Sequence, residues 1–371
     1  MAGLYIHIPF CASRCIYCGF YSTTHLNLRQ QYVDAVCHEM ELRNVLGDVT
    51  EPISTVYIGG GTPSQLTAAQ LEQLFIYINK VYGNQAEEIT IEANPDDVTP
   101  DFAATLSRLG INRVSMGAQT FDDARLRFLH RRHTAAQVPI AVQRLRDAGI
   151  HNISVDLMYG FPNETITDWQ HDIEAALALN VEHISAYCLM IEEGTVLYQW
   201  SMVNGQWSIN EELEREMYEL LIDRLTGAGY EHYEISNFAK PGYRSRHNSS
   251  YWHDVPYIGL GAAAHSYDGT CRSWNVADIR KYMSAIKRDE RPAECEVLDP
   301  DTHYNDRITT ALRTSDGLDL TTLSEEHRRH CLHEAEPFIK NGLLNLTGSR
   351  LMLTRRGLFV SDMVMSQLMM V

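Results

Sequence analysis

The sequence has no long apolar run and comparatively few positive charges. No stretch of about 18 apolar residues occurs in the 371 residues, which excludes a membrane-spanning helix. Lys and Arg number 31 against 48 Asp and Glu, so the formal net charge is −17. Such a balance repels phosphate backbones and anionic lipid headgroups, and no local basic patch offsets it. We therefore expect neither nucleic acid nor a membrane surface as partner.

A charged segment typical of secretion signals is also missing from the first eight residues, so we expect a cytoplasmic protein. Eight cysteines are too few for a disulfide scaffold at this length. Three of them crowd together as Cys11, Cys15 and Cys18, whereas the other five are scattered. In a reducing compartment, such crowding indicates metal or cluster chemistry.

Apolar strand patterns alternate with helical patterns through the first half of the chain. The pattern predicts six strand-to-helix units of about 30 residues each, with strands at 4–8, 54–58, 88–93, 113–118, 153–158 and 183–189. Strands joined by crossover helices pair in parallel, so the predicted fold class is α/β, a partial (β/α)6 barrel of the TIM type. The loops after these strands carry the three cysteines, Gly59–Gly61, Glu92, Gln119 and Asp156. These residues should therefore meet at one rim.

The pattern changes beyond about residue 295. A helix at 325–341, a hairpin around 347–350 and a further helix predict a small winged-helix-like domain over 296–371. Residues 297–371 hold 10 acidic residues against 8 Lys plus Arg, so this domain is expected to be a lid or docking unit rather than a DNA reader.

The spacing Cys11-x3-Cys15-x2-Cys18 supplies three thiolates from eight residues of one loop. Three soft ligands suit iron and sulfide, but a 4Fe–4S cube usually takes four cysteines. The residue two positions after Cys18 is Phe20, so one iron would be open for a substrate or cofactor. The alternatives are a three-cysteine zinc site completed by His7 or His25, or reduced structural cysteines.

This loop and its setting, Tyr5 to Cys18, resemble radical S-adenosylmethionine (SAM) enzymes, and more narrowly the oxygen-independent coproporphyrinogen III oxidase branch. The likeness continues through the segments at 58–63, 92–95, 115–119, 129–133 and 156–160. It implies a radical SAM barrel whose Cys11, Cys15 and Cys18 hold a 4Fe–4S cluster. SAM would chelate the open iron. Transfer of one electron would then cleave SAM to methionine and a 5′-deoxyadenosyl radical.

The resemblance also implies a SAM pocket. Its residues would be Tyr5, Tyr17, Gly60, Gly61, Thr62, Glu92, Gln119, Arg131 and Asp156. In that assignment Tyr17 faces the adenine, the glycines admit the methionyl part, and Arg131 binds a carboxylate. Glu92, Gln119 and Asp156 would bind an ammonium group or ribose hydroxyls. Each residue alone has an ordinary structural explanation, such as a turn or a helix cap.

A second motif, His247-Asn248-Ser249-Ser250-Tyr251-Trp252, resembles the HNxxYW signature of the haem chaperone subgroup, HemW. An imidazole beside two aromatic rings suits a flat iron macrocycle. His247 would then ligate haem iron, Tyr251 and Trp252 would stack on it, and Arg244 and Arg246 would face the propionates. The alternative for His247 is a hydrogen-bonded histidine packed at one end of the barrel.

The function predicted from these likenesses is a radical-SAM-fold haem chaperone that binds a 4Fe–4S cluster, SAM and haem. Residues 1–290 would form the barrel, including a haem-motif extension at about 205–290. Its partners would be haem, acceptor haemoproteins and an electron donor, with the oligomeric state and the cleavage of SAM left open. The alternatives are a coproporphyrinogen III oxidase, which the missing fourth cysteine and N-terminal extension disfavour, and a zinc-bound structural module.

Overall fold

The structure is a computed structural model that describes residues 2–46, 52–204 and 210–370. The predicted start of the haem-motif extension, at 205–209, lies outside these residues, as do Met1 and Val371. Within the three described ranges, no helix combines the length and apolar character that a bilayer crossing requires.

Six parallel strands form the centre of the protein. They are β1 (Ala2–Ile8), β2 (Ile53–Gly60), β3 (Glu88–Ala93), β4 (Arg113–Gln119), β5 (Asn152–Tyr159) and β6 (His183–Cys188). They lie side by side in chain order, and each pairs in parallel with the next. The predicted parallel α/β sheet is therefore confirmed, with strand ends within two residues of those predicted.

Helices cross between these strands. They are α1 (Arg29–Leu46), α2 (Ala68–Tyr82), α3 (Pro100–Arg108), α4 (Asp123–Phe128), α5 (Gln137–Asp147) and α6 (Ile166–Ala178). Local sequence explains their starts: in α2, for example, Thr67 caps the Gln70 amide and Gln70 caps that of Thr67. The apolar face of α2, including Leu71 and Leu74, is buried against the sheet.

The two faces of the strands carry different kinds of side chain. Outward positions such as Ile58, Ile91 and Val114 are apolar and belong to the main core beneath the helices. The alternate positions of β3 and β5 include Glu92 and Asp156, which line an interior cavity. Since neighbouring residues of a strand face opposite sides, the alternation places polar groups inside the barrel.

The sheet continues on both sides of the six parallel strands. Beyond β6 lies β8 (Asn237–Ala239), which pairs with it antiparallel, and then β7 (Glu231–Glu234), which pairs antiparallel with β8. Beyond β1 lies β9 (Tyr257–Leu260), which pairs with it in parallel. The antiparallel strands β10 (His265–Tyr267), β11 (Cys271–Asn275) and β12 (Ala293–Val297) complete that side. The remaining helices of this region are α7 (Val196–Asn204), α8 (Glu211–Gly227), α9 (Arg246–Trp252) and α10 (Ile279–Ile286).

The last part of the chain has its own buried cluster, which includes Tyr304, Ile308, Cys331 and Leu351. Its helices are α11 (Pro300–Ala311), α12 (Glu325–Lys340), α13 (Arg355–Leu358) and α14 (Ser361–Leu368). Its strands are β13 (Leu318–Asp319), β14 (Leu344–Thr347) and β15 (Arg350–Leu353), in the order β13-β15-β14. The helix and hairpin expected from the sequence are both present.

Candidate functional site

The loop that follows β1 places the three cysteines at the carboxyl edge of the parallel strands. Backbone bonds hold the loop, since the Cys11 amide donates to the Thr23 carbonyl at 2.9 Å and the Thr23 amide to that of Pro9 at 2.7 Å. Cys11 is buried, Cys15 and Cys18 are half-buried, and all three are free thiols. The thiols are therefore held by the fold without a disulfide.

The glycine turn at the end of β2 lies against this loop. The Gly61 amide donates to the Ile8 carbonyl at 2.9 Å. A methyl group at position 61 would lie 3.0 Å from Cys11 Sγ and 2.8 Å from the Pro9 carbonyl carbon. The Thr62 hydroxyl donates to Cys11 Sγ at 3.5 Å. Only glycine allows this approach, so cysteine loop and glycine turn share one rim.

A cavity of about 430 Å³ opens at this rim. Eleven of the predicted site residues line it: Cys11, Cys15, Tyr17, Cys18, Gly60, Gly61, Thr62, Glu92, Gln119, Arg131 and Asp156. Tyr5 is not among the lining residues. Its hydroxyl bonds to His7 Nδ1 at 2.9 Å, and its ring lies 6.1 Å from that of Tyr57. Tyr57 itself does line the cavity.

Three cysteine thiols that line one cavity are a donor set of the kind that holds an iron–sulfur cluster. In the portion of the chain that is described, no three His, Cys, Asp or Glu side chains gather closely enough for one metal ion. His7 already uses both ring nitrogens, on Tyr5 and on the Tyr21 carbonyl. Burial raises the pKa of the Cys11 and Cys18 thiols, so binding iron there must displace their protons.

Arg131 connects the cysteine loop with the far wall of the cavity. Its Nη2 donates to Asn94 Oδ1 at 2.7 Å and to the Gly117 carbonyl at 2.6 Å, and its Nη1 lies 3.5 Å from Cys15 Sγ. Its Nε is buried and has no partner among the residues that the structure places. The guanidinium is thus fixed in orientation and retains a donor for an anionic group.

Glu92 and Asp156 place two carboxyls in the wall of the cavity. Glu92 accepts from the Tyr57 hydroxyl at 2.8 Å and from the Gly60 amide at 3.0 Å. Burial, with a smaller effect of Asp156, raises the pKa of Glu92 to about 7. Burial also raises the pKa of Asp156, which accepts from the Ser115 hydroxyl at 3.2 Å. A cationic ligand would stabilise both in the ionised form.

Gln119 ends β4 in the left-handed region, with φ of 68°. A methyl group on Gly117 would lie 2.6 Å from Gln119 Nε2 and 3.0 Å from Arg131 Nη2. The missing side chain at 117 therefore makes room for both polar groups. The strained backbone of Gln119 thus lies where its side chain lines the cavity.

Sequence reasoning missed several lining residues, among them Tyr57, Asn94, Arg113 and Ser115. Arg113 is 1% exposed, and its Nε and Nη1 have no hydrogen-bond partner within the described ranges. The strand alternation could have identified two of them, because Tyr57 and Ser115 lie on the same face of the sheet as Glu92 and Asp156.

The HNxxYW segment forms α9, which packs on β2. His247 is 1% exposed; its Nδ1 lies 2.8 Å from Thr55 Oγ1, and its Nε2 lies 2.9 Å from the Tyr251 hydroxyl. Its ring stacks on Tyr57 at 5.1 Å. Burial, with a smaller effect of Arg113, lowers the pKa of His247 to about 3. His247 is therefore a neutral, fully hydrogen-bonded imidazole in this conformation.

The rest of the predicted haem set lies around α9. The Tyr251 ring meets that of Tyr257 edge-on at 4.6 Å, and the Arg313 guanidinium lies 4.4 Å from the Trp252 ring centre. Arg244 is paired with Glu231 and Asp316, and Arg246 with Glu87. Of the motif, Asn248 is the residue that lines the cavity holding the three cysteines.

Comparison with known proteins first defines the class. Residues 5–176 match the Radical SAM superfamily, and residues 298–360 match the HemN C-terminal domain. A solved structure described as coproporphyrinogen III oxidase (HemN) from Escherichia coli, a radical SAM enzyme, superposes with a TM-score of 0.86. It covers 99% of this chain and 89% of that chain at 22% identity, which shows a shared fold. Fold and site therefore define a protein with the radical SAM fold.

Curated relatives narrow the class. The "heme chaperone HemW" of Bacillus subtilis (strain 168) is 34% identical over 374 residues, covering 98% of both chains. The protein of the same name from Escherichia coli (strain K12) is 34% identical over 71% of this chain and 69% of that chain. The chain belongs to the HemW family, which confirms the resemblance found in the sequence.

Proposed function

We propose that this chain is a haem chaperone that binds a 4Fe–4S cluster, SAM and haem, and delivers haem to acceptor haemoproteins. The observation that carries the proposal is the likeness to a heme chaperone HemW over 98% of both chains. The cavity supports it, because cysteine thiols, a glycine turn and polar side chains converge there.

In this proposal Cys11, Cys15 and Cys18 hold the cluster, and the SAM residues are those that the sequence predicted. A cluster held there would supply the electron for one-electron reduction of the SAM sulfonium. Arg131 orients a carboxylate beside Cys15, because its guanidinium is already fixed by Asn94 and Gly117. Glu92 binds a cationic group and excludes water from the buried wall. Tyr5 supports this wall because its ring stacks against that of Tyr57 on the neighbouring strand.

Haem would bind at α9, with His247 as the iron ligand and Tyr251 and Trp252 beside the macrocycle. A neutral imidazole is the form that ligates iron, and the low pKa of His247 keeps it neutral. Ligation also requires movement, since the Tyr251 hydroxyl must leave Nε2 or Thr55 must leave Nδ1. Arg244 and Arg246 would have to exchange their carboxylate partners for the propionates.

The remaining parts of the proposal concern organisation and partners. Residues 1–290 would act as the barrel unit and 296–371 as a lid or docking domain. An electron donor, acceptor haemoproteins and a cytoplasmic location complete it. Phe20, at the position where the oxidases carry a further cysteine, is 71% exposed at the cavity. It offers no thiolate, which supports the chaperone over coproporphyrinogen III oxidase activity.

The test is a parallel titration of anaerobically reconstituted protein with haem and with coproporphyrinogen, with SAM and a reductant present. We expect a Soret band with haem, transfer to an apo-haemoprotein, and no protoporphyrinogen from coproporphyrinogen. Stoichiometric decarboxylated product would instead establish the oxidase.

The haem ligand is tested separately with His247→Ala. The matched control is His253→Ala, one residue beyond α9, where the ring is exposed and paired with Asp316. We expect the Soret band to shift or disappear in His247→Ala and to stay unchanged in the control. An unchanged band in His247→Ala would contradict the ligand assignment.

A further inference from the structure

Two cysteines that are 24 positions apart in the sequence meet on the outer part of the large sheet. Cys271 begins β11, and Cys295 lies in β12, the last strand on that side. The strands are antiparallel, with Cys271 opposite Val297 and Ser273 opposite Cys295. Cys271 and Cys295 are therefore diagonal neighbours on the same face.

The register of β11 and β12 brings the two side chains out on the same face of the sheet, one residue pair apart. Neither forms a disulfide in this structure. Cys295 is exposed and Cys271 half-buried, so a dissolved reagent reaches Cys295 first. Burial, followed by the proximity of Cys295, raises the pKa of Cys271, which makes it the poorer first nucleophile.

The two thiols lie in a cavity that also holds charged side chains. Both cysteines line a second cavity of about 240 Å³, together with Arg43 and Arg291. Arg43 bonds to Ser266, and Arg291 to Ser273, on the same face of the sheet as the thiols. The two thiols therefore share one cavity with two guanidinium groups and with the carboxylate of Asp268.

We propose that Cys271 and Cys295 form a vicinal dithiol that is reversibly oxidised to an intramolecular disulfide by small disulfides such as glutathione disulfide. The Cys295 thiolate attacks one sulfur of glutathione disulfide, forming a mixed disulfide and releasing one glutathione. The Cys271 thiolate then attacks the Cys295 sulfur and releases the second glutathione. Two protein thiols lose two electrons in total, one glutathione disulfide is reduced, and the two thiol protons pass to the leaving glutathiones.

The geometry allows the bond to close. Diagonal neighbours in a sheet are about 7–8 Å apart, just beyond the usual Cα separation of a disulfide, so closing the bond requires a small movement of one strand. β12 is at the end of the strand order, and no strand of the described ranges pairs with its outer side. It can therefore shift without breaking a second ladder.

The bond would enclose α10, which reaches the cysteine loop of the main site. The Ile279 amide donates to the Tyr21 hydroxyl at 2.6 Å, and the Tyr21 carbonyl bonds to His7. Oxidation would thus fasten the segment that packs beside that loop. A reversible disulfide of this kind is typical of redox sensing in a reducing compartment.

The experiment treats the full-length, cluster-loaded protein with glutathione disulfide under anoxic conditions. Free thiols are then alkylated, and the protein is digested with trypsin. The dithiol predicts one cross-linked species, peptide 247–272 joined to peptide 289–307 and two hydrogens lighter than their sum. Dithiothreitol should abolish it.

The matched variant is Cys271→Ser, which leaves Cys295 without its partner. Glutathione should accumulate on Cys295 of this variant to at least about tenfold the level in the unmodified protein, because no second thiol resolves the mixed disulfide. Absence of the cross-linked species in the unmodified protein would overturn the proposal. Equal glutathionylation of Cys295 in both proteins would overturn it as well.

Discussion

Glu92→Gln should make the cofactor-free protein more stable at alkaline pH while weakening SAM binding. Gln has the same shape as Glu but no charge. Its oxygen can accept from the Gly60 amide, and its amide group can donate to the Tyr57 oxygen, so both present contacts keep a partner. The variant therefore removes the charge with little change in packing.

The magnitude follows from the pKa of Glu92. Burial raises it from 4.5 to about 7. A carboxyl with a raised folded-state pKa holds its proton more tightly in the folded chain, so its stabilising contribution is complete below pH 4.5. That contribution is lost as pH rises through about 7. Each pKa unit corresponds to about 1.4 kcal/mol, so the loss amounts to about 3 kcal/mol at pH 8.

The assay is urea unfolding of the cofactor-free protein between pH 5 and 8.5. We expect the free energy of unfolding of Glu92→Gln to exceed that of the unmodified protein by an amount that grows with pH and levels off near pH 8. SAM affinity should fall about tenfold or more, since a charge-assisted hydrogen bond contributes about 1.5–3 kcal/mol. Glu164→Gln is the matched control, because burial raises the pKa of Glu164 to about 7 as well, but Glu164 does not line the cavity. A difference that is independent of pH, or equal SAM binding in all three proteins, would refute the reasoning.

Three further variants test the site. Gly61→Ala should lower iron and sulfide content after reconstitution and destabilise the protein by about 1–3 kcal/mol, because the methyl group would meet Cys11 and Pro9. Gly227→Ala, where nothing lies within 4 Å, should leave both quantities nearly unchanged, and an equal effect of the two would argue against the steric explanation. Cys15→Ser should make the bound cluster labile and remove its broad absorption at roughly 400 nm. Unchanged iron content in this variant would exclude Cys15 as a ligand. Arg131→Gln should weaken the binding of SAM more than the binding of haem in parallel titrations. Equal weakening of both would contradict the assignment of Arg131 to the SAM pocket.

The sequence predicted the elements of the barrel well because their signals are local. Alternating apolar residues define each parallel strand, and caps such as Thr67 define the helix starts. The cysteine spacing and the glycine turn indicated a shared rim, since parallel strands bring their carboxyl ends together.

Contacts between distant segments were not predictable in the same way. The burial of His247 depends on Thr55 and Tyr57, nearly 200 positions earlier in the chain. The meeting of Cys271 with Cys295 depends on the register of two strands separated by a helix. The place of Tyr5 behind Tyr57 depends on how far each strand is shifted in the barrel. None of these distances has a periodic signature in the sequence.

Tyr57 belongs to two neighbourhoods at once. Its ring stacks on His247, and its hydroxyl donates to Glu92. Glu92 also accepts a hydrogen bond from the Gly60 amide. A ligand that repositions this tyrosine from one side changes the free energy of binding on the other. Thermodynamic reciprocity requires the two effects to be equal in size. If haem binds at α9 and SAM beneath the cysteine loop, as proposed, the two binding free energies would be coupled through this single phenol ring.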